Sequence, residues 1–132
     1  MITPNAIVKV LRYNLDQPYK DIFIHSLPIS GVDGTLEDRM TDDYVCGRIS
    51  AKTGSISGVR TLSGYVIIPG DTLVFSMMMQ NIGWDPDSMD ALQDSLCSVL
   101  AQYSANSRVF ARNLRRYRLG TYGIVRWSVG GL

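Results

Sequence analysis

A chain of 132 residues, 45% hydrophobic and 19% charged, has the size and composition of one ordinary globular domain, which excludes a largely disordered chain. No apolar run approaches the ~20 residues of a membrane-spanning helix. The net charge of +1 implies no partner by itself, yet it is unevenly placed: residues 1–103 hold 12 acidic and 7 basic residues, net −5, whereas residues 104–132 hold 6 arginines and no acid.

The chain opens on Thr3-Pro4, a strong helix start, because threonine caps free amides and proline at the first helical position loses no hydrogen bond. Ile7, Val8, Leu11 and Leu15 follow at helical spacing, which predicts a helix from Pro4 to about Asn14. Pro18 closes it, and Tyr19–Ile24 is predicted as an irregular or helical connection. His25, the one histidine, has no readable Asp or Ser constellation and is read as structural or surface. Gly31 and Gly34 bracket a turn that needs positive φ. Thr35 then caps a short helical turn running to Met40.

Three strands come next. Gly47–Lys52 alternates Arg48, Ser50 and Lys52 with Ile49, Ala51 and Thr53, so one face is polar and the other small or apolar. Val59–Ile68 and Thr72–Gln80 follow, joined by connections short enough to force antiparallel neighbours. The run Leu73–Met79 is nearly continuous in apolar residues, which predicts a strand covered on both faces. Its methionines read as core. Asp85-Pro86 starts a second helix, whose Met89, Leu92, Leu96, Val99, Leu100 and Tyr103 form one apolar stripe. Cys46 and Cys97 fit no metal-type spacing and are predicted to be free thiols; no metal and no cofactor is expected.

The first strand ends on Lys52-Thr53-Gly54-Ser55, preceded by Leu27-Pro28-Ile29-Ser30-Gly31-Val32-Asp33-Gly34-Thr35-Leu36 and followed by Leu62-Ser63-Gly64-Tyr65-Val66. Lys-Thr-Gly in this setting resembles the third motif of the penicillin-binding proteins. Thr3–Tyr103 as a whole resembles the C-terminal part of the serine D-alanyl-D-alanine carboxypeptidases and endopeptidases of low molecular mass. The resemblance implies an α/β (α+β) fold, part of the penicillin-binding transpeptidase domain, with a three-stranded antiparallel sheet and flanking helices. It implies as ligand a peptidoglycan stem peptide or a β-lactam. On this resemblance Lys52 lends its charge to the cleft, the Thr53 and Ser55 hydroxyls contact the ligand carboxylate, the Ser55 backbone N–H is an oxyanion donor, and Gly54 leaves room for a ligand along the strand.

One departure limits what carries over. The family's nucleophile is the Ser of Ser-x-x-Lys, and the residues three before Lys9, Lys20 and Lys52 are Ala6, Gln17 and Ile49. Ser104-Ala105-Asn106 spells Ser-x-Asn but follows Lys-Thr-Gly, whereas the family places that motif before it. Whether the chain is itself an enzyme is therefore left open. It reads as a fragment that is inactive alone and needs the missing N-terminal segment. Met1–Asn5 lacks the features of a secretory signal, although the intact family is periplasmic or extracytoplasmic. In the family two N-terminal strands lie beside the counterpart of Thr72–Gln80, so a homodimer through that exposed edge is expected. Residues 104–132 form an arginine-rich tail, read either as a basic amphipathic helix or as a poorly ordered segment. The alternative function is a non-catalytic module whose tail binds an anionic partner, although nucleic acid is not an expected partner.

Overall fold

In the computed structural model, residues 2–80 and 85–102 and the backbone of 122–125 are described. Helix α1 spans Pro4–Leu15, and the Thr3 side chain caps it by accepting from the Ala6 N–H at 3.2 Å. Its apolar stripe buries Val8 and Leu11, and Ile7 and Leu15 pack beside them. The connection expected around Tyr19–Ile24 is a short helix, α2, Lys20–His25. A single 3-10 turn, Gly34–Leu36, follows, and Gly31 and Gly34 take φ of 65° and 57°, as the turn requires.

Strands β1 (Ile49–Ile56), β2 (Val59–Ile68) and β3 (Asp71–Gln80) form an antiparallel meander. The two-residue Ser57-Gly58 loop between β1 and β2 fixes their register. Helix α3, Pro86–Ala101, starts at Asp85, whose carboxylate accepts from the Ser88 N–H at 3.0 Å and from the Ser88 hydroxyl at 2.6 Å. Those hydrogen bonds hold the Asp85 carboxyl below its ordinary pKa.

The sheet is clad on both faces. On one, Tyr65 and Val74 meet Val8 and Leu11 of α1, with Phe23 and Ile24 of α2 alongside. On the other, Ile49, Ala51, Leu62, Val66, Phe75 and Met77 meet Leu36, Met40 and Val45 together with Cys97, Leu100 and Ala101 of α3. Full burial of each large side chain contributes about 1.5–3 kcal/mol, so these two layers carry most of the fold. Met77 and Met79 are buried, as the apolar run of β3 requires. Cys46 is exposed, Cys97 is buried, and both are free thiols. Among the described residues no helix is long and apolar enough to cross a membrane.

Two features depart from the reading of the sequence. Ser50, placed on a polar strand face, is only 6% exposed; it lies opposite the buried Tyr65 of β2 and is bridged to Ile29 on its other edge. The sheet also has a fourth strand, β4, Tyr122–Val125, which pairs antiparallel with Val74–Met77 of β3. This piece of the tail is neither helical nor unstructured, and it occupies the stretch of β3 edge through which a homodimer was expected. The remainder of the arginine-rich segment lies outside the described residues.

Candidate active site

The open part of β1 is positioned by the half that is closed. Pro28–Ser30 runs beside the start of β1: the Ser30 N–H donates to the Ile49 carbonyl and the Ala51 N–H to the Pro28 carbonyl, both at 2.9 Å. Ser30 is fully buried, and its hydroxyl donates to the Val45 carbonyl at 2.6 Å while accepting from the Ile49 N–H at 3.1 Å. These bonds pin the loop and the strand together. Beyond Ala51, no strand among the described residues pairs with this edge.

Antiparallel pairing makes alternate residues of a strand bond inward and outward. The Arg48 carbonyl accepts from the Ile67 N–H at 2.8 Å, so the even residues face β2 and the odd ones face out. The backbone N–H and C=O groups of Thr53 and Ser55 therefore point to the open edge. Lys52 is exposed, and its ammonium turns back to donate to the Thr53 carbonyl at 2.9 Å. A cation, two outward amides and two hydroxyls thus meet within four residues.

The side chains divide between the faces. Thr53 and Ser55 lie on the α3 side, where the Thr53 hydroxyl donates to Thr35 Oγ1 at 2.9 Å and Arg60 donates to Ser55 Oγ. With Gly54, Arg39 and Asp90 these residues line an open cavity of about 220 Å³. Arg39 joins the loop to α3: its Nε donates to Asp94 Oδ1 at 3.1 Å, and its Nη2 donates to the Asp90 carbonyl and to Gln93 Oε1, each at 3.2 Å. Asp90 Oδ1 lies 3.5 Å from Arg39 Nη1 and 3.8 Å from Arg60 Nε, so one carboxylate braces two guanidiniums.

Lys52, Thr53, Gly54 and Ser55 lie within β1, which does not stop at the motif as expected but stays paired with β2 as far as Ile56. The crowding at Gly54 has a second source: a β-carbon there would overlap Thr61 Oγ1 of β2 before it met any ligand. His25 lies apart, on α2, where Nδ1 is 2.6 Å from the Asp21 carbonyl oxygen. Thr35, Arg39, Arg60 and Asp90 were missed. Arg60 alone had a readable signal, since a two-residue loop at Ser57-Gly58 sets it opposite Ser55. Thr35 reaches the site only through the tertiary packing of its loop.

The family described as D-Ala-D-Ala carboxypeptidase 3 (S13) matches residues 1–103. The chain belongs to this family. The match ends where the sequence resemblance ended, at Tyr103. The D-alanyl-D-alanine carboxypeptidase of Actinomadura sp. (strain R39) is 35% identical over 111 residues, covering 80% of this chain and 20% of the relative. Carboxypeptidase DacB of Mycolicibacterium smegmatis is 36% identical over 89 residues, covering 64% and 19%. Among solved structures, penicillin binding protein 4 (dacB) from Haemophilus influenzae superposes with a TM-score of 0.65 at 26% identity, covering 77% of this chain and 25% of that one. The same protein complexed with a novel beta-lactam gives a TM-score of 0.68 at 25% identity. The chain spans about a fifth of the length of these curated relatives. This S13 chain has an α+β fold similar to the matching quarter of penicillin binding protein 4, and its candidate site lies on the open edge of β1.

Proposed function

We propose that Lys52–Ser55 is the substrate-holding wall of a serine acyl-transfer site that acts on the D-Ala-D-Ala end of peptidoglycan stem peptides outside the cytoplasm. The observation that carries this reading is the open edge of β1, where the outward amides of Thr53 and Ser55 lie beside the Lys52 ammonium and the 220 Å³ cavity. An extended peptide laid along such an edge gains main-chain hydrogen bonds without moving the strand.

Within that reading the Ser55 N–H is an oxyanion donor, and the exposed Ser55 hydroxyl holds the terminal carboxylate. The Thr53 hydroxyl gives up its bond to Thr35 when it joins in. Lys52 lends positive potential to the cleft, and Gly54 keeps the strand surface flat. Residues 1–103 are the C-terminal portion of the transpeptidase-like domain. The nucleophile comes from elsewhere, since these 132 residues contain no Ser-x-x-Lys. An oxyanion hole and a binding edge without a nucleophile form no acyl-enzyme.

The experiment is intact-mass measurement of the chain after incubation with benzylpenicillin. The expected spectrum contains the unmodified chain alone; a stable mass increase of one benzylpenicillin would overturn the claim that the nucleophile is missing.

A further inference from the structure

Building on the reading of Ser55 as a carboxylate-holding group, we propose that Arg60 is a positioning residue that fixes the Ser55 hydroxyl as a donor and so makes the site select a terminal carboxylate over its neutral amide.

The placement follows from the hairpin. Ser55 and Arg60 face each other in the β1–β2 register, and because the odd residues of β1 bond outward, they form a non-hydrogen-bonded pair. Side chains stand closer in such pairs than in hydrogen-bonded ones. Arg60 Nη1 donates to Ser55 Oγ, and its Nε sits 3.8 Å from Asp90 Oδ1 on α3. The Arg60 side chain is 21% exposed, so it is half-buried beside the cavity. Asp90 is itself braced by Arg39, which keeps this anchor in place.

Hydrogen-bond chemistry then restricts what Ser55 can do. A guanidinium only donates, whereas a serine hydroxyl has one donor and two acceptor sites. With an Arg60 N–H on one lone pair, the Ser55 hydroxyl keeps its hydrogen free to donate to a group that enters the cavity it lines. A carboxylate entering there receives that hydrogen and lies near a half-buried positive charge. A neutral amide brings no charge and has only its carbonyl as acceptor. The charge-assisted case is roughly twice as strong as the neutral one.

The test uses the full chain and two probes, N-acetyl-D-alanyl-D-alanine and its C-terminal amide, with affinity followed through the backbone amide signals of Thr53 and Ser55 in NMR titrations. The unaltered chain is expected to favour the acid by about tenfold. Arg60→Leu should lower the acid-to-amide ratio severalfold, and Arg60→Lys should restore part of it. Ser55→Ala should lower the ratio alone and, combined with Arg60→Leu, lower it by less than the two losses multiplied, because part of the effect of Arg60 runs through Ser55. Should Arg60→Leu fail to fold, Asp90→Asn removes the anchor and should lower the ratio too. A tenfold preference that survives both Arg60→Leu and Asp90→Asn overturns the role of Arg60 and leaves the reading of Ser55 standing. If neither probe moves the Thr53 and Ser55 signals of the unaltered chain, the functional reading fails, and this inference with it.

Discussion

Gly64→Ala is expected to cost about 3 kcal/mol of folding stability or more, the upper range for overpacking a close-packed interior. Gly64 sits in the middle of β2, opposite Ala51 of β1 and Phe75 of β3. A β-carbon at this position would stand 2.6 Å from Ala51 Cα and 2.7 Å from Ala51 Cβ, and would overlap the Ser50 carbonyl oxygen. Two of these are backbone atoms and the third is a β-carbon fixed to the backbone, so no change of rotamer relieves them. Strand β1 cannot retreat, because Pro28–Ser30 holds its other edge at Ile49 and Ala51. The displacement would pass along the strand to Lys52–Ser55. Urea unfolding should show a lowered midpoint with an unchanged slope; a midpoint equal to that of the unaltered chain would mean that β1 and β2 are not packed this closely.

Stability is expected to fall steeply as the pH is raised from about 9 to 12. Burial pushes the Tyr65 phenol up to about 12; its hydroxyl is enclosed between α1 and the sheet and donates to the Leu11 carbonyl at 2.8 Å. Burial also pushes the Cys97 thiol up to about 12, with the nearby Asp94 carboxylate adding to the effect and Arg39 opposing it. In the unfolded chain these groups ionise near 10 and 9. Between the unfolded and folded values the unfolded chain has released its protons while the folded chain keeps them, so stability drops with rising pH. At 1.36 kcal/mol per unit, Tyr65 alone accounts for a loss of roughly 2 kcal/mol between pH 10 and 12. Tyr65→Phe should lower stability by about 1 kcal/mol at pH 8 through the lost hydrogen bond, yet flatten the decline above pH 10. Unfolding curves measured at successive pH values check this. Parallel declines for the two proteins would place the alkaline sensitivity elsewhere.

Local chemistry made much of the fold legible. Thr3-Pro4 and Asp85-Pro86 start helices where capping rules place them, and the short loops after Ile56 and Ile68 dictate the meander. The Lys-Thr-Gly-Ser cluster was legible because it is contiguous. Long-range pairings were not. The bonds from Pro28 and Ser30 to β1 join segments about twenty residues apart, and no local pattern in a loop announces them. The same holds for β4, four residues that include Gly123 in a segment whose visible features are its arginines. The alternation along β1 separated two faces correctly but left the burial of Ser50 unseen, since that depends on the segments brought beside it, Tyr65 on β2 and the loop at Ile29. Arg39 shows the same limit: its partners on α3 lie 51 to 55 residues away.

If this chain supplies a competent Lys-Thr-Gly wall to a nucleophile held elsewhere, a chimera with an intact relative should be active. Residues 1–103 would replace the matching quarter of penicillin binding protein 4 from Haemophilus influenzae, and acylation by fluorescent penicillin would be timed for the chimera and for its Lys52→Ala variant. The chimera is expected to be acylated and the variant to be slower by about a hundredfold or more, the usual cost of losing one electrostatic contact in an acyl-transfer site. A folded chimera that takes up no penicillin, or a Lys52→Ala variant labelled as fast as its parent, would contradict it.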